Sequence, residues 1–477
     1  MSKRDQDREV SRRALIKWSL AASAALGVSR GRLLDILERT AGKSTAEAAS
    51  ATPNKRSVHI RAGTGGLAWF QLMWPHNDVA AARNTSFAWP FLATGQTATI
   101  NGTGGMLTTG PQTAFRANTP AKQITCLMAG SNEQHTDNAN SIARSLSSGS
   151  LFAIASVLQA DIPAVVPVIT VDNMEFGTAP GAPEPSIVPG ADDIVGLFNS
   201  AASRAGGLLA SSNHADLYRA QYETLAALNR ASTLSTTRTA YHTGRSASKF
   251  LGTNLSSRLA FRTGIDDVAY GMTGSVYDAI STSSGVGGTQ RDQITAFGKT
   301  LATAAKTFAL GLTSSIVLPG MRDDPHGAFG SGGALTADST AVITTLRIML
   351  DAFMTDLSQR RDSVTNQLLS DNIVITIEGD TPKDPCTNAT WPDVTPNNSN
   401  WMFIYGGGKL KTGWFGGVDR NSAVKGFDPM TGTAKTNDGD VQAKAAVAAT
   451  AYAITNGELR RVGDFTNTNI NGLIATT

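Results

Sequence analysis

Phe308-Ala-Leu-Gly-Leu-Thr-Ser-Ser-Ile-Val-Leu-Pro-Gly-Met-Arg-Asp-Asp-Pro-His-Gly-Ala-Phe329 reads as the end of a helix, a short buried strand, and then a loop carrying Asp323, Asp324 and His326. In an open α/β sheet, the chain beyond the carboxyl ends of parallel strands turns into helices. The crevice left there, lined by loop side chains and helix N-termini, is where ligands bind. Asp-x-His in such a loop offers a hard oxygen and an imidazole to one metal, or a base with its orienting acid. The same residues are also good turn chemistry, because Pro fixes φ while Gly and Asp tolerate unusual backbone angles. Spacing alone leaves both readings open.

Outward from this stretch the chain alternates between strand and helix. Upstream, Gln290 to Phe308 reads as one long helix; downstream, Ser339 to Leu357 is amphipathic with helical period. Asp371-Asn-Ile-Val-Ile-Thr-Ile377 is a buried strand ending on Glu378-Gly-Asp-Thr-Pro382, which predicts a further acidic group at the same edge of the sheet. Trp401 to Tyr405 is another strand and Val441 to Ile454 a closing helix. Earlier in the chain, Ser57–Arg61, Leu67–Trp74, Lys122–Ala129 and Ala164–Val171 read as strands, and Leu151–Leu158 as a helix. Strands and helices in this order predict a mainly parallel sheet with helices on both faces, a three-layer α/β/α sandwich. Between about 190 and 285 the alternation stops and helical periodicity takes over, which predicts a helical insertion within one domain spanning 53–477.

Two further stretches carry candidate chemistry. The Leu67–Trp74 run ends on Pro75-His76-Asn77-Asp78, where His76 and Asp78 are a second pair of potential metal ligands, or an ordinary turn. Gly406-Gly-Gly-Lys-Leu-Lys-Thr-Gly413 resembles a phosphate loop only superficially. The glycine spacing before Lys409 is wrong and no helix follows, so a glycine turn is expected.

The chain carries 41 Lys and Arg against 38 Asp and Glu, but residues 1–51 hold ten basic and six acidic residues; taken from those totals, this leaves 31 against 32. The remainder is near neutral, without the electrostatic footprint of a nucleic-acid-binding surface. With only Cys126 and Cys386, a cysteine-rich metal cluster is excluded. Ser11-Arg12-Arg13-Ala14-Leu15-Ile16-Lys17, followed by a modest apolar run from Trp18 to Val28, looks like a twin-arginine export signal, so 1–52 is read as leader and linker. A run of that length is too short to span a bilayer, and no other segment reaches eighteen uninterrupted apolar residues. The expectation is a protein delivered by the twin-arginine translocase to the periplasm or beyond, with no stable transmembrane span after processing.

Taken together, the helix-strand-Asp-x-His unit, the helix-strand-Glu378-Gly-x-Thr-Pro382 unit and the glycine-rich strand end with Gly413, Gly416 and Asp419 resemble the C-terminal half of an exported bacterial family, the domain of unknown function 1501 family. That family is allied by fold to alkaline phosphatases and sulfatases. The resemblance covers about 300–455, and its order and spacing carry it rather than any single motif. It implies a metal-centred site at the strand ends, with Asp324 and His326 matching the family's Asp-Thr-His and Glu378, Thr381 and Pro382 matching Glu-Phe-Gly-Arg-Thr-Pro. The divalent metal would be zinc, manganese, iron or calcium, and the substrate a small-molecule or polymeric phosphate or sulfate ester. Two departures accompany it: Asp380 stands where the family has arginine, and Asn397-Asn-Ser-Asn-Trp401 lacks the expected histidine. No nucleophile is identifiable, so a non-catalytic binding or cell-surface protein on the same fold is the competing expectation.

A receptor that reads paired guanidinium groups distinguishes them from ammonium groups. Arg12→Lys with Arg13→Lys is therefore expected to hold the protein in the cytoplasm, as measured by fractionation; unchanged export in a strain lacking the twin-arginine translocase would remove the assignment.

Overall fold

The computed structural model describes residues 54–62, 72, 124–129, 150–160, 162, 164–198, 256–285, 288–322, 336–362, 366–379, 400–418 and 424–475. Its strands are β1 (Arg56–Arg61), β2 (Ile124–Ala129), β3 (Val168–Val171), β4 (Ser186–Val188), β5 (Ser284–Gly285), β6 (Gly288–Thr289), β7 (Ser315–Pro319), β8 (Ile373–Glu378), β9 (Asn400–Tyr405), β10 (Gly413–Phe415), β11 (Gly417–Val418), β12 (Val424–Phe427) and β13 (Ala434–Thr436). Eight of them form one sheet in the order β10-β2-β9-β8-β1-β7-β3-β4. β1 is parallel to both of its neighbours, β8 and β7, and β3 and β4 continue in parallel beyond β7. β10 is parallel to β2, whereas β9 runs against β8 and β2. The fold is thus mixed α/β around a mostly parallel sheet, as the alternation in the sequence predicts. β11, β12 and β13 form a small antiparallel sheet, and β5 and β6 a two-stranded one.

Strand composition explains the parallel centre. β8, Ile-Val-Ile-Thr-Ile-Glu, is buried along its whole length, and β7, Ser-Ile-Val-Leu-Pro, at all but its last residue. Such runs can be satisfied only by cover on both faces. Pro319 stands at the last position of β7, where the ladder passes to Gly320, whose N–H donates to the Arg61 carbonyl at 2.7 Å.

Four longer helices flank these strands: α1 (Leu151–Leu158), α2 (Gln290–Ala309), α3 (Ala337–Gln359) and α4 (Gly439–Ile454). Each begins on a side-chain cap. Ser150, Thr289, Thr336 and Asp438 accept from the N–H groups of Ala153, Asp292, Ser339 and Val441, satisfying donors that a helix start otherwise leaves unpaired. Ile294, Phe297, Leu301, Ala305 and Phe308 recur at helical spacing along the buried side of α2. α4 is built largely of alanine, and its buried residues join α1, Val317, Val374, Met402 and Ile404 in one apolar core. Gly177, with φ of +70°, lets its loop meet the start of α1: a Cβ there would fall 2.5 Å from that of Ser150.

Two compact units are distinguished. The unit holding the sheet comprises Pro53–Gln159, Val166–Ala191 and Phe261–Thr477. The other includes residues 192–198, which are helical, and the helical turn Ser256–Leu259. Of the stretch 190–285 expected to be helical, residues 199–255 lie outside the described residues; Asp266–Ala269 and Ser275–Asp278 are helical turns. The leader and the expected Leu67–Trp74 strand, apart from Leu72, also lie outside them. Among the described residues no helix is long and apolar enough to cross a membrane. Cys126 is a free thiol buried in β2.

β1 is locked by a fully buried ion pair. Arg56 Nε lies 2.6 Å from Asp362 Oδ2 and Nη2 lies 3.2 Å from Oδ1, while Nη1 donates to the Thr313 carbonyl. Asn372 Nδ2 also donates to Asp362, at 3.1 Å. Removing one partner of such a pair leaves an uncompensated charge, whereas replacing both by apolar groups removes the cost of burial. Asp362→Ala is therefore expected to destabilise the protein by about 3–5 kcal/mol in denaturant unfolding. Arg56→Met combined with Asp362→Leu should recover most of that loss; a double variant as unstable as the single one would contradict this account.

Candidate functional site

The carboxyl ends of β8, β1 and β7 are level with one another, because Arg61 is in register with Glu378 on one side and with Pro319 on the other. β7 and β8 therefore deliver the segments that follow them to the same edge of the sheet. They are neighbours of β1, not of each other. With strands about 4.8 Å apart, β7 and β8 are separated by roughly twice that spacing, and Arg61 occupies the place between.

Glu378, the acidic strand end singled out from the sequence, is buried here. Its Oε1 lies 3.5 Å from Arg61 Nε, too long for a strong charge-assisted hydrogen bond. The other carboxylate oxygen, Oε2, and Arg61 Nη1 are both buried without a hydrogen-bond partner among the described residues. Burial pushes the Glu378 carboxyl up to about 7, and the Arg61 guanidinium offsets only part of that rise. Such a carboxyl can hold or release a proton near neutral pH, the property wanted of a general acid or base.

One layer further into the sheet, His59 of β1 is in register with Thr376 of β8, and His59 Nδ1 lies 2.8 Å from the Thr376 hydroxyl. The ring is tilted against Phe152 of α1, with centroids 5.1 Å apart, and its Nε2 is buried without a partner among the described residues. Burial brings the imidazole down to about 3, so it is neutral across the ordinary range. At the β7 and β3 ends, Arg322 Nη2 pairs with Asp172 Oδ2 at 2.6 Å, and Gln293 of α2 accepts from the Arg322 backbone N–H. Asp172 turns the chain out of β3 with φ of +57°.

Of the residues predicted from the sequence, only Glu378 falls among those described. Asp324 and His326, which follow the end of β7, and His76, Asp78, Thr381 and Pro382 lie outside the described residues. Among the described residues no group of three or more His, Cys, Asp or Glu side chains could hold a metal ion. Glu378 Oε2 is one oxygen that fits a cation, and among the described residues the charged group beside this carboxylate is the Arg61 guanidinium. Arg61 and the Arg322–Asp172 pair were not singled out by the sequence reading. The signal was available for Arg61, a polar residue closing a strand at the same kind of position as Glu378. The glycine-rich stretch is the turn expected, with φ of +60° at Gly407 and +80° at Gly408.

Comparison with family models, with curated proteins and with solved structures gave no match. A sheet of this kind serves many unrelated activities, so the fold by itself assigns none.

Glu378 and His59 give the pH dependence of stability opposite signs. Glu378 has its folded value raised from 4.5 to about 7, so the folded state binds the extra proton and the group's stabilisation fades as pH rises through that window. His59 has its folded value lowered from 6.5 to about 3, so the unfolded state binds the extra proton and stability is lost as pH falls below 6.5. Between pH 4.5 and 6.5 the two contributions cancel. In chelator-treated protein, Glu378→Gln should unmask a rise of up to about 1.4 kcal/mol per pH unit across that window, and His59→Gln a fall of similar size. Identical slopes in the two variants, read from urea unfolding, would contradict the assignment.

Proposed function

We propose that the chain is an exported metal-dependent hydrolase of phosphate or sulfate esters, with a three-layer α/β/α architecture like that of alkaline phosphatases and sulfatases. The observation that carries this reading is the buried Glu378 carboxyl, with one oxygen unpartnered among the described residues, at the carboxyl edge of a mostly parallel sheet. β7, whose continuation bears Asp324 and His326, ends at that same edge. The architecture draws support from α1 and α4, which share one core, and from the Arg56–Asp362 pair, which ties β1 to the segment after α3. In this reading Asp324, His326 and Glu378 hold a divalent metal, zinc, manganese, iron or calcium. Bound there, the metal would lower the pKa of a water or hydroxyl and polarise the ester oxygen. Arg61, whose Nη1 is without a partner among the described residues, suits an anionic ester oxygen, because a guanidinium matches phosphate and sulfate geometry. Export by the twin-arginine translocase to the periplasm or cell exterior belongs to the same proposal.

A non-catalytic binding protein on the same fold is favoured by one specific observation. The charged partner of Glu378 is already a guanidinium, so the pair serves equally as a structural closure of the β1–β8 edge.

Elemental analysis of protein purified without chelator, combined with hydrolysis of aryl phosphate and aryl sulfate, separates the two. The hydrolase reading expects stoichiometric metal, and His326→Ala should lower both occupancy and turnover by roughly tenfold or more, at least the cost of losing a group that merely orients a ligand, with little change in thermal midpoint. A folded wild-type protein that is metal-free and inert toward both esters would leave the binding reading in its place.

A further inference from the structure

The opposite edge of the sheet holds a charged cluster that the strand-end site does not use. Lys55 immediately precedes β1 and is 4% exposed. Its backbone is fixed on both sides: its N–H donates to the Ile454 carbonyl at 2.8 Å, and its own carbonyl accepts from Gln159 Nε2 at 2.7 Å. Its ammonium lies against the glycine turn, where a Cβ on Gly407 would come within 2.2 Å of Nζ. Beside Gly408 the space is open, with no atom within 4 Å of where its Cβ would stand.

A lysine at the end of a helix is ordinarily explained by the carbonyls there. Here they are taken. Ile454 O accepts from the Lys55 backbone, and Ala451, Tyr452 and Ala453 accept from the N–H groups of Thr455, Gly457 and Asn456. Among the described residues Lys55 Nζ makes no side-chain hydrogen bond and no ion pair at contact distance. The charged groups facing it are Lys409 of the turn and Asp371, which is exposed in the short turn Leu369–Asp371. Tyr405 of β9 turns its hydroxyl to the Ser370 carbonyl. Burial and then Lys409 lower the Lys55 amine to about 8, with Asp371 offsetting part of the fall.

We propose that Lys55, Lys409 and the Gly406–Gly408 turn bind a small oxyanion, such as inorganic phosphate or sulfate, at the amino edge of the parallel strands. Two cations share this corner with a single exposed carboxylate. The lack of a side chain at Gly407 is what lets Nζ reach the turn. An oxyanion supplies both the missing acceptor and the missing charge. Its binding favours the protonated amine, so near pH 8 it draws a proton from solution.

Titration calorimetry of the full chain with inorganic phosphate, near pH 8 in two buffers of different ionisation enthalpy, tests this, with sulfate and acetate as further probes. The expected result is a binding event with proton uptake that is weakened about tenfold or more in Lys55→Met, the scale of one charge-assisted contact. Lys409→Ala should weaken it less, and Lys435→Ala, an exposed lysine of β13 outside both sites, should leave it unchanged. If Lys55→Met does not fold, Gly407→Ala, whose methyl takes the place of the ammonium, should abolish binding. Absence of oxyanion binding to the wild-type chain, or binding unaltered by the Lys55 or Gly407 change, would overturn the site.

Discussion

The structure depends on how β1 disposes of its polar side chains. Four of its six residues, Arg56, Ser57, His59 and Arg61, are polar, yet the whole strand is buried between β8 and β7. A buried polar group is costly unless a partner stands opposite it. Three of the four find a hydrogen-bond partner in the folded sheet, Asp362 for Arg56, Ser315 and Gln159 for Ser57 and Thr376 for His59, while Arg61 faces the Glu378 carboxylate at 3.5 Å. A slip of one residue would send every side chain to the other face and leave two guanidinium groups without carboxylates. Apolar neighbours would tolerate several alignments. The polar set is what selects this one.

That reliance on long-range partners explains what could and could not be read in advance. β7, β8, α2 and α3 were legible because their patterns are local: short apolar runs ending in turn residues, and helical spacing over about twenty residues. β1 was legible as a strand, but its alternation of polar and apolar residues matches a strand with one wet face, and nothing within 56–61 announces that both faces are covered. The reversed direction of β9 was hidden for a similar reason. Asn-Trp-Met-Phe-Ile-Tyr is compatible with either orientation, and the choice lies in where the chain re-enters the sheet. Short strands such as β4, β10 and β13 carry too few residues to show a period.

Glu378 could be named from sequence because it ends a conspicuous buried strand, but its partner could not. Arg61 lies 317 positions earlier, and the register that joins them is a property of the folded sheet. The same holds for Lys55 and Gly407, whose proximity follows from β1 and β9 ending at one edge while running in opposite directions. A glycine read as turn chemistry was read correctly, but its second role, leaving room for an ammonium, involves a residue from another part of the chain.

The two edges of the sheet present a common physical situation with opposite consequences. At the carboxyl edge, a buried carboxyl faces a guanidinium too distant to hydrogen-bond it well, so burial outweighs attraction and the neutral acid is favoured. At the amino edge, a buried ammonium faces a second cation, so burial and repulsion act together and the neutral amine gains ground. Among the described residues neither group has a partner of opposite charge close enough to hold it at its ordinary value. Contrast Asp266, which meets Lys306 at 2.6 Å and Arg262 at 2.9 Å and stays a carboxylate below its usual range despite desolvation opposing it. At Asp266, as at Arg56, the partner of opposite charge stands at contact distance. Glu378 and Lys55 depart from that practice at the two ends of adjacent parallel strands, which is the physical reason for seeking ligands at both.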